Sequence, residues 1–159
     1  MTKSPSEAFF IPLPWIPGHH VSHTGFSHES LSVNDRLYVA QKQVIERLAA
    51  SPCVIMGRCA DNILKELPEN IRIFIHAPVE YRARRVANEY GISFDKAKDK
   101  VLKSDKSRAT FYKSNTSAKW GDVQNYHLCV DSSIMSSDKA AQVIADFVKC
   151  YVEAKENGK

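Results

Sequence analysis

The chain has 159 residues, 43% of them apolar, which is enough for one core and too short for two ordinary domains. Its net charge of +4 is mildly basic and suits a phosphate-bearing ligand without demanding nucleic acid. No signal-peptide pattern and no membrane-length apolar run occurs, and Cys53, Cys59, Cys129 and Cys150 lack C-x-x-C spacing, so the composition predicts a cytoplasmic protein with reduced thiols and no membrane partner.

Residues 1–31 hold four of the seven prolines and four of the six histidines, and no period is sustained, which predicts an irregular amino-terminal arm. Its apolar run Phe9 to Pro17 is broken by prolines and cannot be helical. His19, His20, His23 and His28 supply donors without a fixed scaffold, so no metal site is predicted. From Ser32 a capping-box-like start leads into a helix to about Ala50, with Leu37, Ala40, Gln41, Val44 and Leu48 as its apolar stripe. Ser51-Pro52 stops it. Cys53 to Met56 reads as a buried strand, followed by a short helix from about Cys59 to Lys65.

Ile71 to His76, β-branched and aromatic, reads as a second strand. Pro78 suits the first turn of a helix that ends at Gly91, with Val79, Ala83, Val86, Ala87 and Tyr90 on its apolar side. Ser93 caps the next helix, roughly Phe94 to Tyr112. Thr116 to Asn125 reads as loop and Tyr126 to Asp131 as a third strand. Ser136 or Ser137 then caps a last helix striped by Ala140, Val143, Ile144, Phe147, Val148 and Tyr151. Strands separated by helices imply crossovers and hence a parallel sheet, an α/β fold. The expected organisation is an arm over 1–31, an α/β domain over 32–153 and a disordered tail over 154–159.

Two constellations carry chemistry. Arg58 stands just beyond the glycine that ends the Cys53–Met56 run, with Asp61 three residues on, so a fork donor and an acceptor share the carboxyl edge of a strand, where open α/β sheets bind ligands. A plain strand-to-helix turn, with Asp61 capping or paired to a surface lysine, is the alternative. The second is Lys103-Ser104-Asp105-Lys106-Ser107-Arg108, with Lys113 and Lys119. Eleven basic residues against four acidic ones lie between Arg82 and Lys119, and cations this close repel unless they share an anion. The glycines are isolated and no G-x-x-x-x-G-K-[ST] or G-x-G-x-x-G occurs.

The strings Cys53 to Asp61, Arg72 to Pro78, Asp105 to Tyr112, Lys119-Trp120-Gly121-Asp122 and Tyr126 to Ser133 together resemble the cytidylate kinase-like family of P-loop nucleoside monophosphate kinases, over about Asn34 to Val148. The resemblance implies a three-layer, Rossmann-like P-loop kinase fold, a parallel sheet flanked by helices, with a mobile lid at about 103–122. It implies phosphoryl transfer from ATP with Mg²⁺ to CMP or dCMP. Arg58 would hold the acceptor monophosphate and Asp61 orient it; Lys106 and Arg108 would close on the transferring group, positioned by Asp105; Asp131, Ser132 and Ser133 would approach the donor adenine.

The sequence departs from that pattern upstream of Ser32, where the family's first strand and glycine-rich loop are missing. Each preorganised donor in a phosphate cradle is worth about 10²–10³ in rate, so the chain alone is expected to lack observable kinase activity. The missing strand would separate the Cys53–Met56 and Arg72–His76 strands by about 9–10 Å, too far to pair. Truncation, substitution by the Ala8–Trp15 arm, or a strand lent by a homodimer partner would each account for this. Alongside the kinase, a catalytically inactive nucleotide-binding or protein-interaction module and an RNA-binding domain stay open; no known RNA-binding motif supports the last.

Overall fold

The computed structural model of the chain describes residues 33–158. The expected arm over 1–31, with its apolar run and histidines, and the Ser32 cap lie outside the described residues. The chain divides into two units, the first ending at Glu66 and the second beginning at Leu67.

In the first unit the predicted helix forms as α1 (Val33–Leu48), and the predicted short helix as α2 (Ala60–Ile63). The face that α1 buries is not the expected one. Ile45 is the buried residue, packed with Ala60 and Leu64 and flanked by Ala49, Ile55 and Ile63. Leu37, Val44 and Leu48 from the predicted stripe are exposed, at 41%, 43% and 48%. The four-residue α2 is the element packed on α1 among the described residues, and so short a partner covers one line of side chains. Burying Ile45 contributes roughly 1.5–3 kcal/mol.

The strand expected at Cys53–Met56 does not form. These residues join no ladder among the described residues, and Val54 and Met56 are 86% and 74% exposed. Apolar, β-branched composition makes a strand only where a neighbouring strand accepts and donates the backbone hydrogen bonds, and none among the described residues pairs with this one.

The second unit carries the sheet. Its strands β1 (Ile73–His76) and β2 (Leu128–Asp131) pair in parallel, Ile73 opposite Leu128 through His76 opposite Asp131. The pairing is extended at both ends, where Arg72 O accepts from His127 N at 2.8 Å and His76 O accepts from Ser132 N at 2.8 Å. The crossover between them holds α3 (Val79–Tyr90), entered through Pro78 and closed by Gly91 at φ +61°, and α4 (Phe94–Asn115), whose cap Ser93 accepts from Lys96 N. These helices pack on each other, and each contributes a fully buried alanine, Ala83 and Ala97. Small side chains there let the two backbones approach closely. After a 3₁₀ turn over Val123–Asn125 and β2, α5 (Ser137–Glu156) packs on β2, running three residues into the segment read as a tail. The result is an α/β fold, a short parallel sheet flanked by helices.

The loop expected at 116–125 is anchored by aromatic contacts. The Phe74 ring meets Trp120 edge-on at 5.7 Å and Tyr126 at 4.9 Å. Gly121 follows Trp120 at φ +74°, and a Cβ on it would lie 3.3 Å from Phe74 Cζ. Gly91 has open space around it. Alanine at either glycine carries the left-handed backbone cost of about 1 kcal/mol, and only Gly121 adds a displaced Phe74 ring. Gly121→Ala should therefore destabilise by about 1–3 kcal/mol and by more than Gly91→Ala, read as a lowered urea midpoint at constant slope. Equal costs for the two would show that the Phe74 contact is slack.

Candidate functional site

Arg58 sits on an unusual turn. Gly57, Arg58 and Cys59 all have positive φ, at 72°, 57° and 57°. Glycine adopts that region freely, but each of the other two costs about 1–2 kcal/mol. The turn closes with Ala60 N donating to Gly57 O at 3.1 Å, while Cys59 O accepts from Ile63 N at 2.8 Å. Cys59 and Ala60 are both buried. Packing thus holds a strained backbone in place, and strain that survives in a fold tends to mark a working site. Arg58 and Asp61 stay half-buried, one on each side of the buried Cys59.

Cys59 itself is a buried thiol. Burial first, and the Asp61 carboxylate second, push its pKa up to about 12 against a smaller opposing pull from Arg58. Burial first, then Cys59 and the same Asp61 carboxylate, raise the Tyr38 phenol on α1. The Asp61 carboxylate is therefore felt by both titratable groups beside the turn.

In the second unit Asp105 on α4 collects two guanidinium groups. Arg82, on α3, makes a bidentate fork, with Nη1 to Oδ1 at 2.9 Å and Nη2 to Oδ2 at 2.8 Å, and its Nε donates to Ala77 O at 2.9 Å. Arg108, one turn further along α4, reaches Oδ1 at 3.4 Å with a single nitrogen. The side chains of Arg82 and Asp105 are 30% and 21% exposed, against 57% for Arg108. The fork is short and sheltered and the Arg108 contact long and open, so Arg108 is the partner that an incoming anion can take without unfastening Asp105. Lys106 is exposed beside it and enters no ion pair among the described residues. Arg82 has no signal in the sequence: Asp105 stands among Lys103, Lys106 and Arg108, which already supply local partners.

At the carboxyl edge of the sheet, Asp131 Oδ1 accepts from both Ser133 N at 2.8 Å and Ser133 Oγ at 2.6 Å. Those two bonds, the side-chain one first, hold its pKa below the ordinary carboxylate value, with a smaller pull from His76. Ser132 Oγ donates to His76 O at 3.1 Å. The three residues form one closed turn beside the end of β1. Among the described residues, no hydrogen bond or ion pair joins this turn to Asp105, Lys106 or Arg108. No group of three His, Cys, Asp or Glu side chains among the described residues converges as a metal site.

The thiol inventory gives a direct check on the Arg58 turn. At about pH 8 the native protein should show Cys53 and Cys150, both exposed, reacting with a thiol reagent while Cys59 stays unmodified until the chain is unfolded. Labelling of native Cys59 at the rate of Cys53 would mean that the turn opens readily.

Residues 16–134 match the model of the cytidylate kinase-like family. The cytidylate kinase of Methanococcoides burtonii is 31% identical over 101 residues, 64% of this chain and 54% of that protein. The cytidylate kinase of Methanoculleus marisnigri is 24% identical over 125 residues, 79% and 67% of the two chains. A solved structure of an uncharacterised protein from Eubacterium ventriosum shares the fold with a TM-score of 0.69 and 27% identity, covering 72% of this chain and 65% of that one. The chain spans about half the length of the Methanococcoides relative and of a Methanosarcina barkeri cytidylate kinase, at 54% and 51%. The family match runs through every element from α1 to β2, including the Arg58 turn and the Arg82–Asp105 fork, and the chain belongs to the cytidylate kinase-like family.

Proposed function

We propose that residues 32–153 are the nucleotide-handling part of a cytoplasmic cytidylate kinase-like phosphotransferase, acting on CMP or dCMP with ATP as donor. The observation that carries the reading is the strained Gly57-Arg58-Cys59 turn, which holds Arg58 in the left-handed region, three residues before Asp61, in a setting held by packing. A planar fork donor matches the oxygens of a monophosphate, and the carboxylate matches a sugar hydroxyl or base amine. Lys106 and Arg108 belong to a lid over about 103–122, where Arg108 exchanges its long contact with Asp105 for the transferring phosphoryl group. Phosphoryl transfer is mostly positioning and charge stabilisation, which is what two loosely held cations on a fixed helix supply.

The Asp131–Ser133 turn lies at the sheet edge where α/β folds bind ligands, and we assign it to the donor adenine. Its side chains already bond one another, so it would offer the base a fixed wall more than free donors. ATP brings Mg²⁺, which neutralises phosphate charge and is commonly held by substrate oxygens with few protein ligands. Among the described residues no three His, Cys, Asp or Glu side chains converge to cage the ion. Four free cysteines agree with a reducing compartment, and no helix of the described residues is long and apolar enough to cross a membrane.

A second reading, a nucleotide-binding module that transfers nothing, is favoured by the lack of any G-x-x-x-x-G-K-[ST] in the 159 residues. Calorimetric titration with CMP tests what the two readings share: Arg58→Ala should weaken binding at least about tenfold, the loss expected for a charge-assisted phosphate contact. Unchanged CMP affinity in that variant would remove Arg58 from the acceptor site. Chromatographic detection of CDP from CMP and MgATP separates the readings, since only the kinase forms it.

A further inference from the structure

His127, the residue before β2, sets both ring nitrogens against one residue. The backbone N–H of Arg72 donates to Nδ1 at 3.0 Å, and Arg72 Nη2 lies 3.1 Å from Nε2. A neutral imidazole has one in-plane lone pair and an imidazolium has none. One lone pair cannot serve two donors, so in either tautomer one of these contacts sets N–H against N–H. The backbone contact belongs to the strand pairing, where His127 N returns a bond to Arg72 O. The lone pair therefore goes to Nδ1, and Nε2–H faces a guanidinium nitrogen that can only donate.

Among the described residues no further acceptor bonds Arg72 Nη2 or His127 Nε2. Arg72 Nε is satisfied by Asn125 O at 2.7 Å, and the two charges acting on the ring, Arg72 and Lys155, are both positive. Lys155, on α5, donates to Pro68 O and stands over the Tyr151 ring, which in turn lies 5.1 Å from the His127 ring. Burial and these two cations lower the imidazole pKa, so the ring stays neutral at neutral pH with its Nε2–H on offer. Neither Arg72 nor Lys155 enters a salt bridge among the described residues.

We propose that the amino-terminal edge of the sheet holds an oxyanion site, in which one phosphate or carboxylate oxygen accepts from Arg72 Nη2 and His127 Nε2–H with the Lys155 ammonium alongside. Two donors 3.1 Å apart suit a single shared oxygen, and the cation supplies the charge match. The site stands at the end of β1 and β2 opposite His76 and Asp131, so it is separate from the nucleotide edge and does not depend on the kinase reading.

The test follows the Cε1–H resonance of His127 in the full chain by carbon-edited NMR during addition of inorganic phosphate at constant ionic strength. A saturable shift of His127 that leaves His76 in place, weakened about tenfold or more by Arg72→Met, is the expected result. Lys155→Met, a change on the open face of α5, should weaken the same titration several-fold. Acetate run in parallel sorts the source: a shift with both anions assigns a general oxyanion site, and a shift with phosphate alone assigns a phosphate site. A His127 resonance that neither anion moves, or a shift that survives Arg72→Met at full strength, overturns the proposal and leaves water as the bridging acceptor.

Discussion

The Arg82–Asp105 fork is the contact on which the second unit's geometry turns. Arg82 spends every nitrogen of its guanidinium, two on the Asp105 carboxylate and one on Ala77 O just past β1. One side chain thus ties the carboxyl end of a strand, helix α3 and the middle of α4 into a single frame. The two helices pack on each other with a fully buried alanine in each, and the fork ties Arg82 of one to Asp105 of the other. Arg108 is left with the second lone pair of Oδ1, which it reaches with a single nitrogen at 3.4 Å. A fixed frame carrying a loose cation is what a lid needs.

The first unit holds Arg58 by a different route. There the backbone itself is forced, three residues in the left-handed region, and the buried Cys59 and Ala60 keep it so. A strand that would extend the core stops short at Cys53–Met56, whose apolar side chains stand open, and α1 likewise shows Val33, Leu37, Val44 and Leu48 to solvent. Local packing around Ile45, Ala60 and Leu64 is enough to hold the Arg58 turn even so.

Elements fixed by local chemistry were legible in the sequence. Ser93 caps α4 as expected and Ser136, one of the two candidates, caps α5; Pro78 and Gly91 bracket α3, and two of the expected strands pair in parallel over Ile73–His76 and Leu128–Asp131. What was not legible depends on partners far along the chain. The buried face of α1 is chosen by α2, which selects Ile45 over the Leu37–Val44 stripe. Cys53–Met56 has strand composition without a pairing strand among the described residues. Arg82 finds Asp105 across 23 positions, and Arg72 meets His127 across 55, distances over which no spacing rule operates. The left-handed turn at Arg58 was hidden for another reason: only Gly57 announces positive φ, and nothing in Arg58 or Cys59 does.

A double-mutant cycle on Arg82→Met and Asp105→Asn, followed by urea unfolding, tests this account most directly. A sheltered bidentate pair that fastens two helices predicts a coupling of about 1–3 kcal/mol, each single change costing nearly as much as both together. Additive costs, with coupling within about 0.3 kcal/mol of zero, would mean that the fork is a surface ion pair and that the frame is held by the helix contact alone.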